Sequence, residues 1–399
     1  MKTINHQKSP FISFVTTGVL LVIATTGFVR MAYGAVLPYM RESLSLTFSQ
    51  SGLLGSSMFL GYLVTVGLSG LLSLRFGAKN VILAGSCSVI AGLIGLGSAT
   101  SFWPAACFMF IAGAGSAIVF TPLMSLMIAW FPDNRGLVVG LLLSGAGMGM
   151  ILSGMLIPWA VASYPPSGWR TVWLAFAAFN LVTVALAAAI LRNPAAVKPE
   201  QNTVNKQNWL SHSVLRKIAF LYFLVGMAYL IPILYQTAYL IGLGHSPAAA
   251  GQVFAFAGIF SIIGAPIWGY IADRLGTYPT LLLVFVWIIA GNLLPLAFPG
   301  ILGFMLSSVI WGTGTGGLMA LIQVAASQQV PQKYIAAVIG FISVFYAVGQ
   351  MLGPGTAGLI IEHYGGFSGA YWFGAVLYAI CLVVAFTLCP SKGQAKLPT

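Results

Sequence analysis

The sequence predicts an all-α membrane protein, with twelve transmembrane helices in two pseudo-symmetric six-helix bundles. Three observations lead there. The first is composition: 59% of the 399 residues are hydrophobic and 6% are charged, where a soluble domain carries about 25% charged residues. Such a chain cannot clothe a water-facing surface. Its main solvent must be lipid, where the backbone has to satisfy its own hydrogen bonds, as a helix does. The second is a succession of apolar runs near the roughly 20 residues that cross a bilayer. The third is an internal repeat.

Glycine, proline and charge divide the chain into twelve runs. The first, 11–38, follows Lys2 and Lys8 as a secretory leader would. It is too long for a leader and lacks a small-residue cleavage site, so a retained helix is expected. Runs 51–74 and 80–99 flank the loop that carries Arg75 and Lys79. Run 103–130 stops before the turn at Pro132, 136–160 starts after Arg135, and 169–191 stops at Arg192. Residues 192–215 are polar and proline-bearing and read as a partly disordered cytoplasmic linker. An N-terminal bundle at 1–191 and a C-terminal bundle at 216–399 are expected on either side. The second set of runs is 216–242, 248–271, 277–297, 300–329, 334–361 and 369–389.

With both termini inside, 14 Lys and Arg residues fall on the inner side and only Arg41 and Arg170 on the outer. The positive-inside rule then places both termini in the cytoplasm of a cell whose inner (plasma) membrane holds the protein. The net charge of +12 does not point to nucleic acid, because the basic residues are scattered through short loops and form no stripe. The four cysteines, Cys87, Cys107, Cys381 and Cys389, lie in apolar runs without a paired motif and read as small core side chains. No metal site, cofactor or catalytic constellation is implied, and there is no phosphate-binding loop for direct ATP drive.

Sliding the sequence by 199 residues aligns eight glycine pairs: 27/226, 52/251, 70/269, 77/276, 92/291, 113/312, 115/314 and 154/353. Arg75 meets Arg274, Pro132 meets Pro331 and Ser144 meets Ser343 in the same register. A duplicated six-helix unit is the signature of a transporter that works by alternating access. Glycines 113, 115, 145, 149, 154, 312, 314, 316, 349, 353 and 355 would let helices approach closely. Whether those contacts slide or merely pack is open at this level.

The repeated segments GLLSLRFGAKN (70–80) and GYIADRLGTYP (269–279) resemble the loop motif of the major facilitator superfamily. The second copy keeps the acidic residue as Asp273, while the first has Leu74. WFPDNRGLVVGLLLSGAGMGM (130–150) resembles the fourth-to-fifth-helix junction of its monocarboxylate and oxalate porters. GQMLGPGTAG (349–358) resembles a Gly-Pro motif of antiporters. GFVRMAYG (27–34), with the following Leu37-Pro38, looks most like the bacterial YbfB/YjiJ-type branch. The resemblance implies a cavity between the bundles, lined by helices 1, 2, 4, 5, 7, 8, 10 and 11, with helices 3, 6, 9 and 12 facing lipid. It also implies gating residues at the cytoplasmic end. Asp273 and Arg274 would act with Arg75 and Arg135, the carboxylate latching that end when the protein opens outward.

One residue stands out. Arg30 lies in the first apolar run, about five residues past its middle, which puts it roughly 7 Å outward of the midplane at 1.5 Å per residue. A guanidinium at mid-membrane depth costs roughly 2.5–3.5 kcal/mol on insertion scales. The five acids, Glu42, Asp133, Glu200, Asp273 and Glu362, all fall in loops or at helix ends, so no internal carboxylate is available to pair with it. Arg30 is therefore expected to hold the anionic group of a small organic substrate, for which its planar fork is suited. The alternative is a structural arginine bonded to carbonyls at a kink near Gly27 or Gly34. Tyr33, Tyr229, Gln236, Gln323 and Gln350 are the candidate polar neighbours, and Tyr62, Trp159, Trp268, Trp311 and Tyr346 the candidate wall. The function expected is secondary active transport of a small organic anion by a monomer, through proton coupling or exchange. Efflux of amphipathic drugs, or a receptor that binds without turnover, are the alternatives.

Overall fold

The structure is a computed structural model that describes residues 11–193 and 209–388. Those residues form twelve helices long and apolar enough to span a membrane, and no strand occurs among them. The first span, α1, covers 11–43 in three parts: Phe11–Val22, a wide-turned π segment Ile23–Met31, and Tyr33–Ser43. It is followed by α2 (Phe48–Phe76), α3 (Ala78–Ser98), α4 (Phe102–Trp130), α5 (Arg135–Ser163) and α6 (Gly168–Ile190). The second set is α7 (Ser213–Gly242), α8 (Pro247–Leu275), α9 (Thr277–Ala297), α10 (Ile301–Ser327), α11 (Ile335–His363) and α12 (Gly366–Phe386). The expected linker falls largely outside the described residues, as does Cys389.

Each set packs in the same pattern. In the first, α2 and α3 lie on α4, α3 lies on α6, and α1 lies on α5; in the second, α8 and α9 lie on α10, α9 on α12, and α7 on α11. The repeat read from the sequence is visible at single glycines. A Cβ on Gly113 would strike the Met58 carbonyl, and one on Gly312 would stand 2.8 Å from that of Ala257, the residue in register with Met58. A Cβ on Gly115 would meet Val89, and one on Gly314 would meet the matching Ile288. Gly77 and Gly276 end α2 and α8 at φ of 81° and 89°, left-handed geometry that a residue with a Cβ resists.

Large apolar side chains cover the outer faces of α6, α9 and α12, among them Leu181, Val182, Val286, Val383 and Phe386. That is a surface for lipid tails. Cys87 and Cys107 are exposed, contrary to a reading of every cysteine as core; only Cys381 of the described three is buried.

The two sets meet through α2 with α11, α5 with α8, and the end of α1 with α7. The contacts cluster on one side of the membrane. Call the end where α1 begins, which carries Arg75, Lys79, Arg135 and Arg274, the basic face, and the other the opposite face. Toward the opposite face the seam is closed by backbone packed on backbone. A Cβ on Gly34 would stand 2.7 Å from the Leu234 Cα, and one on Gly147 would stand 2.6 Å from the Gly258 carbonyl. Gly52 lies against Pro354 and Gly154 against Gly251. Toward the basic face the same four helices separate. Gly67 and Gly70 on α2, Gly136 and Gly140 on α5, Gly269 on α8 and Gly340 on α11 have open space where a Cβ would go. The protein is therefore captured open at its basic face.

This sorts the glycines that the sequence singles out. Gly154 and Gly355 cross the seam, while Gly113, Gly115, Gly145, Gly149, Gly312, Gly314, Gly316, Gly349 and Gly353 pack within their own half. Those nine make tight contacts inside one half, which leaves Gly154 and Gly355 as the two of the set placed between halves. A Cβ on Gly27 would lie 2.7 Å from the Gly149 Cα. Gly27→Val should accordingly destabilise the first half by about 1–3 kcal/mol. Gly70→Val, in open space, should leave the thermal unfolding of the detergent-solubilised protein unchanged.

Candidate functional site

The π segment of α1 sets the site. Its wider turn shows in the bond from the Ala32 amide to the Gly27 carbonyl at 3.0 Å, five residues back. Gly27 there lies against Gly149 of α5. An inserted residue of this kind rotates everything after it, and such wide turns recur at functional positions. Arg30, near the end of the segment, is only 8% exposed. Its guanidinium carbon lies 4.4 Å from the ring centre of Tyr62 and 5.1 Å from that of Phe59, both on α2. Its Nη2 donates to Gln350 Oε1 on α11 at 3.2 Å, a bond that crosses between the halves.

Depth follows from these partners. Tyr62 is the middle residue of α2, and Gln350 lies one residue past the middle of α11. The charge is thus level with the middles of α2 and α11, near mid-depth of the helices around it.

From Gln350 a polar chain continues into the second half. Gln350 Nε2 donates to the Tyr346 hydroxyl at 3.1 Å, which in turn points at Met319 Sδ at 3.5 Å. Tyr346 stacks on Tyr222 at 4.5 Å between ring centres, and Gln323 Nε2 donates to the Tyr222 hydroxyl at 3.3 Å. Tyr229, which the repeat sets in register with Arg30, stacks on Trp311 at 5.5 Å. Tyr229 also lies 6.3 Å from Tyr346 between ring centres. One cation from the first half therefore faces an aromatic, amide-bearing wall from the second.

Of the expected neighbours, Tyr229, Gln323 and Gln350 join this cluster, as do Tyr62, Trp311 and Tyr346. Tyr33 does not. Its hydroxyl donates to the Ser51 carbonyl at 2.7 Å, tying α1 to α2 within the first half. Three residues apart would share a face on an α-helix, but the π segment shifts the phase between them. Gln236 is buried seven residues beyond Tyr229 on α7, toward the opposite face. Trp159 is 58% exposed beside Tyr164 at the far end of α5, and Trp268 packs with Trp287 inside the second half, so neither lines the wall. The sequence reading misses Phe59 and Tyr222. Phe59 is three residues before Tyr62 and Tyr222 seven before Tyr229, spacings that put each pair on one helix face.

The electrostatics are lopsided. Among the described residues the one close approach of an acidic and a basic side chain is His363 to Glu362 at 3.9 Å, an ion pair only when the imidazole is protonated. Among them Arg30 has no carboxylate partner, and its buried Nε has no acceptor. Two ring contacts at about 0.5–2 kcal/mol each and one charge-assisted bond of about 1.5–3 kcal/mol are of the same order as the several kcal/mol of desolvation. They leave no surplus, and donors to spare.

At the basic face, Asp273, Arg274, Arg75 and Arg135 are all exposed. Arg274 lies over Tyr270 and Arg75 over Phe76, and Asp273 borders a niche of about 450 Å³ between α8, α9 and α10. None of the four is ion-paired among the described residues, in keeping with a face that stands open.

The family model described as "Uncharacterised MFS-type transporter YbfB" matches residues 22–386. The chain is 24% identical to the agnestins efflux protein AgnL12 of Paecilomyces divaricatus, over 94% of this chain and 88% of that protein. It is 25% identical to the oxalate:formate antiporter of Oxalobacter formigenes, over 80% of this chain and 78% of that protein. The crystal structure of the nucleoside transporter NupG superposes with a TM-score of 0.77 at 13% identity, covering 95% of this chain and 98% of that one. That likeness shows the fold. The family match agrees with the segment around Arg30: this chain is a multi-pass membrane transporter and belongs to the YbfB-type family of the major facilitator superfamily.

Proposed function

We propose that the protein is an alternating-access secondary transporter for a small organic anion, whose charged group binds Arg30. The supporting observation is the mid-depth guanidinium without a carboxylate, bonded once to a neutral amide and left with a free Nε. In this reading Gln350 is a placeholder. Its carbonyl oxygen occupies one donor until a substrate oxyanion takes two, in the bidentate geometry that a guanidinium favours. The ring stacks of Tyr222 with Tyr346 and Tyr229 with Trp311 then take the substrate's less polar body.

The basic face is cytoplasmic in this reading, on the count of Lys and Arg, so the conformer is open to the cytoplasm. The vacant glycines of α2, α5, α8 and α11 are where the bundles would close when the opposite side opens. Coupling runs through the substrate's own protonation or through exchange, since among the described residues no Asp or Glu lies in the middle of a span. A relative that is an antiporter of oxalate and formate is in keeping with an anionic cargo. The aromatic wall, together with a relative named for efflux, favours a second reading in which amphipathic drugs are extruded.

Uptake into proteoliposomes separates the two. Arg30→Lys keeps the charge but loses the fork, and it should lower transport of a carboxylate about 10- to 100-fold while sparing the matched ester. Equal loss for acid and ester would favour the drug reading. Arg30→Met removes an unneutralised buried charge. It should hold or raise the thermal stability of the empty protein, by up to about 4 kcal/mol, whereas a structural arginine would make this variant melt lower. Asp273→Asn should reduce transport without reducing membrane abundance, and unchanged uptake would remove the cytoplasmic latch.

A further inference from the structure

The closed seam at the opposite face ends in a contact that pairs two helix ends of opposite polarity. The first turn of α2 has an N-cap of its own. Thr47 Oγ1 accepts from the Gln50 amide at 3.1 Å, and Gln50 Oε1 accepts from the Thr47 amide at 3.0 Å. This box leaves the Ser49 amide to find another acceptor. It finds one in the other half: Ser49 N donates to Glu362 Oε2 at 2.8 Å.

Glu362 lies in the last turn of α11. A carboxylate there is badly placed for its own helix, whose C-terminal carbonyls carry the negative end of the dipole. It is well placed for α2, whose N-terminal amides carry the positive end. The gain exists only while α2 and α11 are side by side. When the halves part at this face, Glu362 is left against its own helix end and water. A contact made in one state and lost in the other shifts the balance between them. The charged surroundings of Glu362 are sparse. His363 Nε2 is 3.9 Å from Glu362 Oε1, and Arg41 is turned over the Phe48 ring at 4.2 Å. Phe48 meets Phe367 edge-on at 5.1 Å, closing the apolar side of the contact.

We propose that Glu362 is the latch of the opposite face: by capping α2 across the divide it holds that side shut while the basic face is open. It is a positioning residue for transport and touches no substrate. Its bond goes to the backbone of Ser49, with the Ser49 and Thr47 hydroxyls beside it, so changes at Glu362 remove the whole contact at once.

The test is a distance measurement on the full chain in lipid nanodiscs without substrate, so that it stands apart from the Arg30 reading. Trp103 and Leu302 are exposed and begin α4 and α10 on the opposite face, one in each half. Spin labels at Trp103→Cys and Leu302→Cys, with the native cysteines replaced by alanine, report the opening there. Glu362→Ala and Glu362→Gln should raise the long-distance population about two- to fivefold, with no change in melting temperature. Glu362→Asp and His363→Ala should keep the distribution of the parent. An unchanged distribution in Glu362→Ala, or an equal shift in Glu362→Asp or His363→Ala, would overturn the latch.

Discussion

The molecule is organised around a positive charge that it does not neutralise. Arg30 lies at mid-depth, over the rings of Tyr62 and Phe59 and against the amide of Gln350. Lipid would not tolerate it, so the two bundles must enclose it between them. The π segment of α1 aims it, the Gly27–Gly149 contact seats that segment, and the aromatic wall of α7, α10 and α11 faces it. Because the hydrogen bond from the guanidinium to Gln350 crosses from one half to the other, the state of the site and the state of the seam are linked.

The same constraint explains how glycine is spent along the chain. Within each half, glycines such as Gly113 and Gly312 lock helices together at backbone distance. Across the seam they do so on one side of the membrane and stand vacant on the other. A rigid half with a divided seam moves as a body, because close-packed interiors resist gradual deformation. On the closed side a bond crosses the seam from the Gly355 amide to Ser56 at 3.0 Å. Two others brace each half beside it: Tyr33 to the Ser51 carbonyl in the first, and Tyr235 to the Pro354 carbonyl at 2.9 Å in the second. Pro354 cannot itself donate to Gln350's carbonyl, so α11 is loosened just where α2 and α7 grip it.

Much of the fold is legible in the sequence because it follows from solvent and repetition. Hydropathy marks the spans, and the 199-residue register reappears in space as matching glycine contacts. Arg30 is legible as an anomaly of charge in an apolar run. Its surroundings are less so. Reading α1 as a regular helix places Tyr33 beside Arg30, and that error comes from a π segment that no residue pattern announces. Trp159 and Trp268 are selected by residue type alone, without the face test that would have kept Tyr222 and Phe59. Which glycines cross the seam depends on how the halves dock, and that is long-range information. Glu362 reads only as one of the acids in loops or at helix ends because its partner lies 313 positions away, on a backbone amide without side-chain identity.

The most direct measurement of the central claim is ligand-induced thermal stabilisation of the purified protein against a panel of small carboxylates, each paired with its ester. The account predicts that some acids raise the melting temperature of the wild type, that their esters do not, and that Arg30→Met responds to neither. Stabilisation by acids that persists undiminished in Arg30→Met would contradict it.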